Sequence, residues 1–226
     1  MDIYFIMCGY YFRTRSWLYR RGDEFLYSRF TLTYGPNKDD EELLKIRSTF
    51  KFIPFTEALT SEEKVILAAR EVIKALTARD YQKLEGLVSV DGLSLNNSPS
   101  MSFIHNIPKS DVSEIPKDIK IYLWGYTDGK GDPIDVTRAE FLTKYIYSGT
   151  LDYLKAPNIA INKKLGGGNS VNTIEKDANG RTYIAFHFPG FNPEYAGIDW
   201  TTLYLVFDNE NGSYKLRGIA KDNWTI

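Results

Sequence analysis

Between Thr60 and Val88 the apolar positions follow a helical period. Val65, Ile66, Ala69, Val72, Ile73 and Leu76 fall on one face, while Lys64, Arg70, Glu71 and Lys74 occupy the other. Thr60-Ser61-Glu62-Glu63 has the form of a capping box, in which the threonine oxygen accepts from an orphan N–H and Glu63 reaches back. Asp80 is placed to cap a second short helix whose Tyr81, Leu84, Leu87 and Val88 turn inward, with Gly86 weakening its end. An amphipathic helix pair of this kind has to bury one side against something large.

Downstream the period shortens to two. Ile119-Lys120-Ile121-Tyr122-Leu123-Trp124-Gly125 alternates, with Ile119, Ile121 and Leu123 on one face and Tyr122 and Trp124 on the other. Thr182 to Phe188 reads as a strand stopped by Pro189-Gly190. Trp200 to Asp208 is β-branched and aromatic, and Ser213 to Ala220 follows across the turn chemistry of Asp208-Asn209-Glu210-Asn211-Gly212. Thr137-Arg138-Ala139-Glu140 repeats the capping-box logic ahead of Phe141, Leu142, Tyr145 and Ile146, which predicts a short helix between the strands.

Helices first and mostly antiparallel strands afterwards predict an α+β domain over 60–226: a curved sheet with the helices packed on one face. Sustained βαβ alternation is absent, which disfavours a doubly wound nucleotide-binding fold. Segments 89–118 and 149–181, rich in Gly, Ser, Asn and Pro, read as long irregular connections. Residues 1–57 have another texture. Arg13, Arg15, Arg20 and Arg21 interleave with Tyr10, Tyr11, Phe12, Trp17 and Tyr19 without a sustained period, so a poorly packed extension is expected. Within it, Phe25 to Tyr34 reads as an edge strand and Lys38 to Ile46 as a short helix with acidic residues at its positive end.

Composition narrows the function classes. The chain has 226 residues, 28 basic against 29 acidic, so it lacks the basic surplus that phosphate binding exploits, and no nucleic-acid partner is expected. Cys8 is the single cysteine and His105 and His187 the only histidines, which excludes an internal disulfide and argues against a metal centre or metal cofactor. No run approaches a membrane span. The opening Met1 to Gly9 has a short apolar stretch ending in Cys-Gly, but Asp2 replaces the basic start and Met7 stands where a lipoprotein signal needs a small residue. On that start the expected compartment is the cytoplasm.

The early helix with its Leu76-Thr77-Ala78-Arg79-Asp80-Tyr81 bend, followed by a closing pair of long strands, resembles the NTF2-like cone fold of ketosteroid-isomerase-like and SnoaL-like enzymes and of many noncatalytic binding domains. The stretches Trp124 to Ile134, Phe188-Pro189-Gly190-Phe191, Gly197-Ile198-Asp199-Trp200 and Leu216 to Ile226 resemble an uncharacterised family of bacterial lipoprotein-like proteins. That resemblance covers residues 60–226, implies the cell envelope and carries no activity to transfer. Lys221 stands where those relatives tend to have histidine.

The candidate site residues follow from chemistry and fold together. His187 is either a proton carrier lining the cone or a half-buried ring held by a neighbouring strand; without a partner constellation the second reading is preferred. Asp199-Trp200 and Asp222-Asn223-Trp224 pair a carboxylate with an indole, as a base in an apolar pocket or as a turn cap beside a core tryptophan. Gly166 to Ser170 lacks the spacing of a phosphate loop, and Asp128 to Asp132 lacks the ligands of a calcium loop; both are expected to be turns. A ligand is expected to meet Tyr122, Trp124, His187, Trp200, Tyr204 and Trp224, with His187, Asp199 and Asp222 as the weak catalytic candidates. The expectation is a noncatalytic domain binding a small molecule or a partner. The alternatives are a small isomerase- or hydrolase-type enzyme using His187 or an aspartate, and a homodimer formed through an open sheet face.

Overall fold

A computed structural model of the chain describes the backbone of four strands near the amino terminus and, with side chains, residues 59–101, 105–127, 129–167 and 171–224. The chain divides into two units, Met1–Ala58 and Leu59–Ile226. In the first, β1 (Asp2–Met7) pairs antiparallel with β2 (Tyr10–Arg15), and β3 (Leu18–Arg21) with β4 (Phe25–Ser28). Aromatic and β-branched residues favour the pleated backbone even where polar and apolar positions do not alternate, which is why strands occupy a stretch with no readable period. Of the strand expected over Phe25 to Tyr34, Phe25–Ser28 forms β4 and the remainder lies outside the described residues. The helix expected from Lys38 lies outside the described residues.

The second unit opens with α1 (Ser61–Ala78). Its capping box forms as the sequence predicts: Glu63 N–H donates to Thr60 Oγ1 at 3.2 Å, and Thr60 N–H to Glu63 Oε2 at 2.9 Å. The helix stops at Arg79, which takes a left-handed conformation (φ 53°), and Asp80 caps α2 (Tyr81–Leu87) by accepting from Lys83 N–H at 2.9 Å. The buried face of α1 is Val65, Ala69, Val72, Ile73, Ala75 and Leu76, with Ile66 half-buried beside it.

Five strands form the main sheet: β5 (Ser94–Asn96), β8 (Asn158–Ile161), β9 (Thr182–Phe188), β10 (Thr201–Glu210) and β11 (Ser213–Asn223), in the order β5-β11-β10-β9-β8. The three long strands stand where the sequence places them. All pairings are antiparallel except β5 with β11. The fold class is therefore α+β. The short strands β5 and β8, with α4 (Ile174–Ala178), lie in the stretches expected to be irregular; three to five residues are too few for a period to show.

One strand departs from expectation. The Ile119–Gly125 pattern yields β6 (Tyr122–Tyr126), which pairs with β7 (Pro133–Val136) as a separate hairpin and takes no place in the main sheet. Its aliphatic row points outward: Ile119 is 89% exposed, Ile121 55% and Leu123 44%. Tyr122 and Trp124 form the inner row because flat rings cover more core surface. The Trp124 ring stacks on Phe141 at 4.0 Å and 6°. Phe141 opens a π-helical run, Phe141–Ile146, that continues α3 (Arg138–Glu140) beyond its own capping box at Thr137.

Both faces of the sheet are covered. Ile184, Phe186, Leu203, Leu205, Phe207, Leu216 and Ile219 pack with α1 and the π-turn into one core. On the other face Tyr183, Ala185, Tyr204, Val206 and Ala220 pack under Met101, Ile174 and Ala178, with Leu165 alongside. The register of β10 with β11 shifts between Val206 and Phe207, leaving Arg217 as the extra residue of a bulge. Re-aimed by it, the Arg217 guanidinium donates to Asn106 Oδ1 (2.7 Å) and Gly92 O (3.1 Å), tethering Gly92 and Asn106 to the sheet.

Gly92 tests that tether. Its φ is +88°, and a Cβ there would stand 2.5 Å from the Ile107 carbonyl oxygen. Gly92→Ala is expected to lower stability by about 1–3 kcal/mol through strain and overlap together. Gly212→Ala (φ +84° in open space) should lose less. The midpoints of urea unfolding curves at unchanged slope compare the two.

Candidate functional site

Cross-strand register, which the linear sequence does not show, assembles the site. Asn158 of β8 pairs with His187 of β9, His187 with Thr202 of β10, and Thr202 with Asp222 of β11. Directly paired residues point to one side of a sheet, so these four make a polar row across four strands. The row lies on the face away from α1. Trp200, 5% exposed, abuts it with its ring 5.9 Å from that of His187, and Tyr204 stands one step further along β10. Trp224, 36% exposed, lies just past the end of β11. Of the eight residues predicted from sequence, His187, Trp200, Tyr204 and Asp222 thus meet on or beside one row.

The proton positions can be worked through bond by bond. The Tyr204 hydroxyl donates to Leu165 O at 2.7 Å and accepts from Leu165 N–H (3.3 Å) and from Asn172 Nδ2 (3.0 Å). Asn172 Nδ2 gives its second hydrogen to Asp222 Oδ2 at 3.1 Å, and Asn172 Oδ1 accepts from Ile174 N–H at 3.2 Å. Thr202 Oγ1 lies 3.3 Å from Leu165 O, which can only accept, so the threonine proton goes there. Thr202 Oγ1 in turn lies 2.8 Å from His187 Nδ1, and with its own proton committed it accepts. His187 is thereby assigned as the Nδ1–H tautomer, with the lone pair on Nε2.

Nε2 of His187 has no partner among the described residues, and the buried Nε1–H of neighbouring Trp200 has none either. An unpaired buried donor costs about 1–3 kcal/mol, so an oxygen or nitrogen acceptor at Trp200 would be stabilised strongly. Burial pushes the Tyr204 hydroxyl up to about 12, which keeps it a neutral hydrogen-bonding group. Burial also holds the His187 imidazole below its ordinary value, with no carboxylate on the ring to raise it. Among the described residues no group of three or more His, Cys, Asp or Glu is placed to hold a metal ion.

The remaining predicted residues lie elsewhere. Tyr122 and Trp124 belong to the β6–β7 hairpin. There Trp124 Nε1–H donates to Val136 O (3.0 Å), the Tyr122 hydroxyl donates to Asp118 Oδ2 (3.1 Å), and the Arg138 guanidinium lies over the Tyr122 ring, 5.0 Å from its centroid. These rings serve packing. Asp199 ties the loop after β9, its Oδ2 accepting from Phe191 N–H (3.0 Å) and Asn192 N–H (2.8 Å); those backbone bonds hold its carboxyl below the usual range against the raising effect of burial. Its Oδ2 thus acts as a turn cap, while its buried Oδ1 has no partner among the described residues. Gly166, with φ +85°, lies so close over Trp200 that a Cβ would come within 2.7 Å of the indole; Gly168 to Ser170 and Asp128 fall outside the described residues. Asn158 and Thr202 escaped sequence reasoning because polar residues near strand ends carry no signal until the register is known, and Asn172 because it lies in an irregular segment ahead of α4.

Two outcomes are expected here. Tyr204→Phe keeps the ring but leaves Leu165 N–H and one Asn172 hydrogen unpaired, with Leu165 O held by Thr202 alone, so stability should fall by about 1–3 kcal/mol in urea unfolding. His187, favoured neutral in the fold, contributes stability above its ordinary pKa of 6.5 that is lost as pH falls through its lower folded value. The unfolding midpoint should drop as pH is lowered from about 7 toward 5, and His187→Gln should flatten that drop. In comparison with known proteins, no family model and no curated protein matches the chain.

Proposed function

We propose that residues 60–226 form an NTF2-like, noncatalytic binding domain that holds a small polar molecule at the His187–Trp200 end of the polar row. The fold reading is supported by a helical hairpin that precedes a mostly antiparallel sheet and packs on one face of it. The space between helices and sheet is filled by apolar side chains, which favours the far face for recognition. One observation carries the ligand reading: beside a network in which Tyr204, Asn172 and Thr202 are hydrogen-bonded, the buried Nε1–H of Trp200 has no acceptor among the described residues, and its ring lies 5.9 Å from that of His187, whose Nε2 likewise makes no bond among them. A ligand offering one donor and one acceptor complements them.

Binding is preferred to catalysis because His187 is oriented by a threonine hydroxyl. A threonine does not stabilise the imidazolium as a carboxylate does, and burial weakens the ring further as a base. The test is native mass spectrometry of the full chain purified from its own host, beside Trp200→Phe, which keeps the ring's bulk and removes its N–H. A retained mass in the parent that is lost in the variant is the expected result. The proposal fails if neither carries a ligand, or if both carry it equally.

A further inference from the structure

A cleft of about 190 Å³ opens on the helical side of the domain, between the α1–α2 bend and the end of the π-turn. It contains none of the polar-row residues. Its wall is lined by Thr77, Arg79, Asp80, Tyr81, Tyr147 and Ser148, over a floor that includes Leu84 and Leu142. Two of its borders have unusual backbone: Arg79 holds φ 53°, and Leu142 and Thr143 belong to the π-helical run that ends at Ile146.

Hydrogen bonding decides what this cleft offers. Thr77 Oγ1–H donates back to Ile73 O at 2.8 Å, so at the 2.7 Å contact with Tyr147 the phenol is the donor. The Tyr147 proton is therefore committed and its oxygen is left with acceptor capacity only. Thr143 likewise donates to Ala139 O. Asp80 uses Oδ1 to cap α2, and its second oxygen has no partner among the described residues. Arg79 is exposed and makes no ion pair among the described residues, although the neighbouring Lys83 and Glu71 are paired with each other at 2.7 Å. The cleft thus sets one free guanidinium beside two hydrogen-bond acceptors.

We propose that this cleft is a second ligand site, for a small organic acid carrying an O–H or N–H donor near its carboxylate, of the α-hydroxy or α-amino acid class. The carboxylate pairs with the planar fork of Arg79, which suits two parallel N–H···O bonds. The donor turns toward the Tyr147 oxygen or the free Asp80 oxygen. A larger charged molecule is excluded by volume, since the space is smaller than the ~300 Å³ at which drug-sized pockets begin. A bare anion is disfavoured by Asp80, whose carboxylate repels it unless a donor intervenes.

The test uses the full chain and three probes, glycine, lactate and acetate, titrated at fixed ionic strength while the backbone amides of Tyr147 and Gly149 are followed by nuclear magnetic resonance. Glycine or lactate should bind at least about tenfold more tightly than acetate, the worth of one charge-assisted hydrogen bond. Arg79→Gly removes the guanidinium while relieving a left-handed residue, so it should fold at least as well as the parent and lose binding by about tenfold or more. Tyr147→Phe with Arg79 intact should narrow the gap between lactate and acetate. The proposal is overturned if no probe shifts these amides, if acetate binds as tightly as the other two, or if Arg79→Gly binds unchanged. Because Trp200 is untouched, none of these outcomes bears on the polar-row reading.

Discussion

The central strands β9 and β10 are buried on both faces, and this double burial constrains everything around them. A strand with one solvated face leaves alternate residues to water, whereas here Tyr183 through His187 and Thr201 through Phe207 are all buried. The chain must therefore supply two covers. The first is the α1–α2 hairpin, whose apolar stripe packs on Phe186, Leu203, Leu205 and Phe207. The second comes from residues 162–167 and 171–178, a poor cover by composition, since they bring few large apolar side chains to bury.

Hydrogen bonding compensates for that poverty. Leu165 is held through both its N–H and its carbonyl by the single hydroxyl of Tyr204, and Asn172 bridges that hydroxyl to Asp222. Buried amides cost several kcal/mol without partners, so a cover rich in glycine and asparagine has to be met by polar side chains rising from the sheet. Polarity at Thr202, Tyr204 and Asp222 is in this sense structural. What remains after those bonds are made, at His187 and Trp200, is where recognition chemistry is left over.

The same accounting separates the aromatic residues. Sixteen tyrosines, thirteen phenylalanines and four tryptophans make an aromatic-lined hollow plausible from composition. Among the described residues, Trp124 and Trp200 divide by the partners of their indole N–H groups. Trp124 gives its N–H to a backbone carbonyl and its face to Phe141, and is thereby a core residue. Trp200 is more deeply buried and has no acceptor among the described residues, which makes it a binding candidate. Nothing in the sequence around either tryptophan distinguishes them.

Local rules were enough for the elements whose cause is local. The capping boxes at Thr60 and Thr137, the stripe of α1, the Asp80 cap and the long strands β9 to β11 all follow from spacings within a few residues, because helix caps and amphipathic faces are set by neighbours along the chain. The α+β class follows from their order. Other features were settled by packing between distant segments: the exile of β6 to its own hairpin with Ile119, Ile121 and Leu123 outward, the short strands β5 and β8, the polar row, and the cleft at Arg79. Each depends on which strand lies beside which. Strand pairing is a long-range choice made by the whole core at once, and a single chain read in order carries the residues of that choice without their register.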